Sequence, residues 1–230
     1  MRREKPTLGL KHLTSGVILT AILIGLSGCS STQTNISILE SSKDITELRS
    51  ALRAIGRKGK RGYKAIPQVV HIVQRHPDSE LRQLAIRTLG KIGSEDRNEA
   101  TRVLCNCIFE PDVEIRRMAL VALGDITPFP MGAFPPLIEA MGDKDSIVSK
   151  MAMTLLLDYV PHCNHALKNA LADQEPKIRS MAALALGHIG YDARFAVPKL
   201  KDALDDENPE VREKAREAID KISAQTGIQY

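Results

Sequence analysis

The 230-residue sequence has no tryptophan and only four tyrosines and four phenylalanines. Reading single-stranded nucleic acid takes aromatic faces on which bases stack, and this chain offers few. Sequence signals for phosphate, acyl-transfer and zinc-protease chemistry are missing as well: no Gly-rich phosphate loop, no GxSxG elbow, no HExxH pair. Net charge is small, +4 over the whole chain. Residues 1–28 carry Arg2, Arg3, Lys5 and Lys11 against Glu4, so +3 belongs to that segment and about +1 to the rest. A balance that small withdraws the main electrostatic support for nucleic-acid binding, and no nucleic-acid partner is expected.

Long apolar runs are scarce too. The clearest, from Leu13 to Leu26, is shorter than the roughly 18–20 residues a membrane-crossing helix needs. A basic leader followed by a short apolar stretch is the order of an export signal. At its end stands Leu26-Ser27-Gly28-Cys29, which resembles the lipobox of bacterial lipoproteins. That resemblance implies a signal peptide over 1–28, cleavage before Cys29, and lipid on Cys29. Ser30, in place of an aspartate, is similar to the outer-membrane sorting pattern. For a Gram-negative source it implies the periplasmic face of the outer membrane. The competing reading is an uncleaved anchor. Residues 29–43 are polar and rich in Ser, Thr and Asn, and read as a flexible tether spanning roughly 20 Å root-mean-square.

With Cys29 taken by lipid, Cys105, Cys107 and Cys163 remain, an odd number and a poor disulfide framework. All three read as free thiols. The repeat register described next puts Cys107 in a core column. It puts Cys105 in an exposed one, which makes it the most reactive of the three. His162-Cys163-Asn164-His165 has metal-ligand residue types. No further acid or cysteine pair stands near it, and Cys163 shares a register with Ala65, Ala133 and Ala196, so a small buried residue is the better reading. No metal or other cofactor is expected.

Internal repetition is the strongest signal of fold. Ala85, Ala119, Ala152, Ala182 and Ala215 recur at intervals of 34, 33, 30 and 33 residues. Each has an aliphatic four before it (Leu81, Ile115, Val148, Ile178, Val211) and another four after it (Leu89, Leu123, Leu156, Leu186, Ile219). Offsets of four mark one face of a helix. Between these helices, Ala65-Ile66-Pro67 recurs as Ala196-Val197-Pro198 and Ala133-Phe134-Pro135, with proline in a first helical turn. Single helix pairs cannot bury their apolar faces, and stacked pairs can.

The segments Asp78-Ser79-Glu80-Leu81-Arg82, Asp112-Val113-Glu114-Ile115-Arg116, Glu175-Pro176-Lys177-Ile178-Arg179 and Asn208-Pro209-Glu210-Val211-Arg212 resemble the opening of HEAT repeats. The subclass named after phycobilisome lyases is the nearest in pattern, from about Asp44 to Ser223. The resemblance implies an all-α solenoid of about five stacked helix pairs and a closing helix, set at 44–224 with a tail over 225–230. It is nearly silent on activity. Asp78, Asp112, Glu175 and Asn208 read as helix caps, and Arg82, Arg116, Arg179 and Arg212 as bridges between repeats. The unit at 145–160 departs from the pattern: Ser149 replaces the arginine and Leu157 the glycine.

Such solenoids work by presenting a concave surface to a protein partner. Taking the proline-bearing helices as its lining gives a candidate groove of Val70, His71, Leu104, Cys105, Ile138, Glu139, Lys168, Asn169, Lys201 and Asp202. A basic run of Arg49, Arg53, Arg57, Lys58, Lys60, Arg61 and Lys64, uninterrupted by any acid, has two readings. It is a solvated end cap, or Arg57, Lys58, Lys60 and Arg61 help the anchor by meeting anionic headgroups. The chain reads as a monomeric, non-catalytic scaffold. The alternative is a lyase-like, cofactor- or metal-binding repeat enzyme. The His-Glu pairs of di-iron HEAT enzymes have no counterpart here, because no His is followed by Glu.

Replacing Cys29 with alanine should abolish incorporation of a labelled fatty acid and release the protein from membranes. A variant that stays membrane-bound identifies residues 1–28 as an uncleaved anchor.

Overall fold

The computed structural model describes residues 31–93 and 97–227. The signal segment and Cys29 lie outside the described residues. Short and long helices alternate. The short ones are α1 (Thr32–Ser41), α3 (Ile66–Arg75), α5 (Arg97–Cys107), α7 (Phe134–Ala140), α9 (Asn164–Ala170) and α11 (Val197–Asp202). The long ones are α2 (Ile45–Arg57), α4 (Ser79–Ile92), α6 (Val113–Asp125), α8 (Ser146–Leu157), α10 (Pro176–Ile189) and α12 (Pro209–Thr226). Each short helix packs on the long helix after it, so the described residues form six pairs.

Two boundaries move. Within the tether expected over 29–43, Thr32–Ser41 is helical, so the solenoid begins one helix earlier. The Ser31 hydroxyl accepts from the Thr34 N–H as an N-cap, and Asn35 and Ile36 are buried. The segment's Ser, Thr and Asn content hid an apolar Ile36–Leu39 edge that packs on the core. At the other end α12 runs to Thr226, inside the expected tail. Gly227 ends it in the left-handed conformation (φ 67°), its N–H donating to Ser223 O.

The two layers pack differently. Long helices lie directly side by side. A Cβ on Gly90 would come within 2.5 Å of the Ala122 carbonyl oxygen, and one on Gly187 within 2.9 Å of Ala218 Cα. Glycine is required at both positions because backbone meets backbone there. Short helices touch their neighbours in their own layer only lightly. A stack whose layers differ in spacing curves toward the tighter one, so the long helices line the concave side. The sequence-based groove had assigned that side to the proline-bearing helices, and the structure reverses it. Alanine and glycine at the contacts, rather than proline at the helix start, decide which layer is inside.

Helix starts follow one scheme. Asp44, Asp78, Asp112, Asp145 and Asn208 cap their helices through side-chain oxygens, while Glu175 occupies that position without a side-chain bond. The capping carboxylates of Asp112 and Asp145 are held below the usual aspartate range. The Ser79 hydroxyl is the main cause at Asp112, and the Val148 N–H at Asp145.

Arginines four residues further on tie one repeat to the next. Arg82 donates to Val73 O and to Glu110, both at 2.7 Å. Arg116 grips Asp143 with two nitrogens at 2.8 and 3.0 Å and also donates to Glu110 O and Pro111 O. Arg179 does the same with Asp206 and with the carbonyls of Asp173 and Gln174. Arg212, in the last pair, keeps only the carbonyls of Asp206 and Glu207. Forked contacts of this kind suit arginine's rigid planar donor set.

Both residues of the Arg116–Asp143 pair are nearly enclosed, at 5% and 11% side-chain exposure, whereas Arg49 and its partner Glu80 are open at 33% and 76%. Breaking an enclosed pair from one side costs about 3–5 kcal/mol, and an exposed pair is worth less than about 1. Arg116→Ala should therefore lower unfolding stability in urea by about 3 kcal/mol and Arg49→Ala by less than about 1. Equal losses would mean the burial difference is irrelevant. The Arg179 guanidinium beside Asp206 holds its carboxyl below the ordinary range. A lowered folded-state value gives stability above the unfolded value of about 3.9 that is lost as pH falls through the folded value. Asp206→Asn should thus flatten the acid limb of a stability-versus-pH curve below about pH 4.

Candidate functional site

Four columns of the long helices face the concave side. Aligned on the repeating alanine, they read Glu80, Gln83, Arg87 and Lys91 on α4, then Glu114, Arg117, Val121 and Asp125 on α6, then Ile147, Lys150, Thr154 and Asp158 on α8. Toward the N-terminus the face is basic, with Arg53, Arg57, Arg87 and Lys91 exposed. On α12 the same columns carry Glu210, Glu213, Glu217 and Lys221, with Glu213 and Glu217 in reach of Lys214.

The centre is apolar, and there the helices part. Leu120, Val121 and Gly124 of α6, with Ile147, Lys150, Met151, Thr154, Leu155 and the adjoining Asp158 from α8, line an open cavity of about 380 Å³. Val121 and Ile147 are 46% and 50% exposed, unusual for aliphatic side chains. The spacing of the two helices there follows from one side chain. Gly90 faces Ala122 and Gly187 faces Ala218, but the equivalent Gly124 faces Leu155, whose Cδ1 would lie 3.4 Å from an added Cβ. Leucine where α6 and α12 carry alanine holds α8 away from α6 and leaves a slot between them. On the other flank of α8, Leu157 replaces the column's glycine and contact with α10 is thin. The sequence showed the Leu157 departure. The Leu155 column went unnoticed, although Ala122, Leu155 and Ala218 share one register and are readable as such.

Ser149 leaves a second opening on the convex side. Its hydroxyl donates to Met141 O and, unlike Arg116 and Arg179, reaches no acid of the next repeat. Asp173, which stands where Asp143 and Asp206 stand, accepts only the Glu175 N–H. Lys177 of α10 donates to Asp143 O, a carbonyl an arginine at 149 would cap. Beside this junction Pro135, Ile138, Glu139, Asn169, Asp173 and Ile178 help line a cleft of about 790 Å³.

The ten residues proposed for the groove do not form one surface. Val70, Leu104 and Cys105 are buried in the core. His71, Glu139, Asn169, Lys201 and Asp202 are exposed on the short helices, with Ile138 and Lys168 half-buried. Ile138, Glu139 and Asn169 meet at the convex cleft, and His71 lines a separate hollow with Leu39, Glu40, Pro67 and Gln68.

Cys105 was expected to be exposed and is only 8% so, packed within the hydrophobic core with Leu104 and Cys107 of α5. All three described cysteines are free and buried. Burial pushes the Cys105 thiol up to about 11 and, with Glu110 adding to it, the Cys107 thiol to about 12; Cys163 is raised for the same reason. His162 and His165 are exposed on either side of Cys163. Among the described residues no group of three or more His, Cys, Asp or Glu is placed to hold a metal ion. No described helix is long and apolar enough to cross a membrane.

A family model described as HEAT repeats matches residues 32–123 and 162–230. The interval it leaves out holds the slot's α8 flank, Ser149 and Leu157. No curated protein matches the chain. Among solved structures, a designed armadillo repeat protein in complex with the peptide (KR)4 is 20% identical, over 84% of this chain and 100% of its own, at a TM-score of 0.50. A second designed armadillo repeat protein is 17% identical over 84% and 100%, at 0.48, and an engineered protein is 22% identical over 85% and 97%, at 0.46.

A thiol near 11 is ionised to about one part in a thousand at pH 8, and only the thiolate reacts. Alkylation of all three cysteines in the native protein should be at least about tenfold slower than in urea, with Cys105 first. Fast native labelling of Cys163 would overturn that order.

Proposed function

The chain belongs to the HEAT repeat family, and from that premise we propose that it is a monomeric, non-catalytic scaffold, lipid-anchored in the cell envelope, that grips a protein partner along its concave face. The observation that carries the reading is the slot between α6 and α8. It is apolar at its centre, exposed, and lined also by Lys150 and Asp158 from the α8 segment. Partner surfaces of this kind take an aliphatic or aromatic anchor into the slot and set its register by the charges around it. The basic columns on α2 and α4 and the acidic ones on α12 give the face a direction, so a bound segment has a preferred orientation. A repeat face that accepts extended peptide is consistent with the designed armadillo protein that carries (KR)4.

Anchoring rests on the sequence: the basic leader, the short apolar run and Leu26-Ser27-Gly28-Cys29. Two or more acyl chains hold a protein on a membrane stably, whereas one binds marginally.

A photo-crosslinking residue placed at Val121 in living cells should yield one discrete protein adduct, identified by mass spectrometry. The same residue at Asn106, exposed on α5 in the other layer, should not. With that adduct partner, Val121→Glu and Ile147→Glu should each weaken binding at least about tenfold, from the loss of about 1.5–3 kcal/mol of apolar burial. Identical adducts from both positions, or none from Val121, would reject the slot as the contact.

A further inference from the structure

We infer that the turn between α2 and α3 is a membrane-docking surface for anionic phospholipid headgroups, and that it holds the first repeat flat against the bilayer from which the chain hangs. The inference rests on the reading that Cys29 carries lipid.

Three observations meet at this turn. The first is charge. Arg53, Arg57, Lys60, Arg61 and Lys64 are all exposed, and among the described residues none of them has an acidic partner. Elsewhere Arg49, Arg82, Arg116, Arg117 and Arg179 pair with acids, and Arg75, Arg102 and Arg216 stand singly rather than clustered. The patch is thus an unneutralised field in a chain of almost no net charge.

The second is rigidity. The 3-10 segment Gly59–Ala65 is pressed onto the core at Gly62, where an added Cβ would meet Ile92 at 2.9 Å and the Ile55 carbonyl at 3.0 Å. Its backbone is fixed, and Lys60, Arg61, Tyr63 and Lys64 are exposed around that point. Tyr63, 38% exposed, suits a membrane–water boundary, where a ring can be half-buried with its hydroxyl wet.

The third is the start of α1. Lys58 Nζ donates to the Thr32 hydroxyl at 3.2 Å, so the helix begins against the basic turn. Cys29 precedes Thr32 by three residues, a reach of at most about 11 Å. A coil of fourteen residues would have let the domain drift from the surface. Because α1 is folded onto the turn, the lipid and the cationic patch share one corner of the molecule, and insertion of the acyl chains delivers the patch to the headgroups. Attraction of basic residues to an anionic leaflet decays within a Debye length, about 8 Å at physiological salt, so this proximity is what makes the charges count.

The test uses full-length lipidated protein reconstituted into vesicles of phosphatidylethanolamine with one-third phosphatidylglycerol, or of phosphatidylcholine alone. Amine-acylation rates at Lys60 and Lys64 are compared with Lys199, which is exposed on α11. In anionic vesicles Lys60 and Lys64 should be protected at least about threefold relative to Lys199, and the protection should vanish in phosphatidylcholine and at 1 M salt. Full-length Arg57→Glu/Arg61→Glu, which keeps both reporter lysines, should lose it while staying vesicle-bound through its lipid. The all-lysine variant Arg57→Lys/Arg61→Lys should keep it. Equal labelling in both lipids overturns the inference, as does protection by an RNA oligonucleotide with none by anionic vesicles. Fatty-acid labelling of Cys29 is read separately in the same preparation. Its absence removes the anchor, whereas its presence without lysine protection removes only the docking surface.

Discussion

Where Gly90 faces Ala122 and Gly187 faces Ala218, two helix backbones touch, and the distance between neighbouring long helices is set by those contacts. The curvature of the stack and the shape of its inner face follow from that distance. Interiors packed to crystal-like density transmit a change of a few atoms rather than absorbing it. Leu155, where α4-to-α6 and α10-to-α12 packing uses alanine, adds three carbons to one contact and opens a slot between α6 and α8. Val121 and Ile147 put aliphatic side chains into columns that face outward in other repeats, and the wider spacing at Leu155 leaves a slot between them. Filling the slot would bury two aliphatic side chains at positions where other repeats carry polar residues such as Glu80, Arg87, Glu114 and Thr154.

The arginine bridges act on the same spacing from the ends of the helices. Arg116 and Arg179 each hold their own entry loop through two carbonyls and the next loop through an aspartate, so one side chain fixes both the turn and its distance to the neighbour. Asp143 and Asp206 in turn accept the backbone N–H two residues on, which shapes the loop that presents the helix cap. At Ser149 that double grip is missing. Lys177 reaches back to Asp143 O instead, a flexible ammonium in place of a planar fork. The repeat that lost its small-residue contact on one flank has also lost its arginine, and Leu157 loosens the other flank. Three departures in one unit make 145–160 the place where the solenoid is least constrained to a single curvature.

How much of this could be read beforehand depended on what each signal encodes. The interval of about 33 residues and the apolar offsets around Ala85 and Ala119 encode helices and their stacking, because burial repeats with the fold. The capping residues at Asp78 and Asp112 were legible for the same reason: a cap needs an acceptor at one fixed place. Helix α1 was not legible. Its core contacts come from Ile36 and Leu39 alone, and its cap comes from a serine in a run of serines and threonines. The groove was placed on the wrong layer because a register shows which residues align, not which layer is tighter. That information sits in residue size, in the Gly90–Ala122 and Gly124–Leu155 columns. The column of Cys105 is exposed at His71, Glu139, Asn169 and Asp202, whereas Cys105 itself belongs to the core, so the register alone does not give its burial.

The folded α1 also bears on how a partner would meet the slot. Helices in a stack stand about 8–10 Å apart, so the opening between α6 and α8 lies roughly two and a half spacings, about 20–25 Å, from α2. If Cys29 anchors the chain as proposed, that distance replaces a loose coil as the quantity that fixes how far the slot stands from the lipid. A partner in the same membrane would have to present its anchoring side chain within that range of the surface, whereas a free partner would meet no such limit. The charges point the same way. The basic columns of α2 and α4 lie between the membrane end and the slot, and the acids of α12 lie beyond it. A segment that is acidic where it leaves the membrane and apolar a few residues later matches both the order and the distance, and the reverse order would set its acids against Glu213 and Glu217.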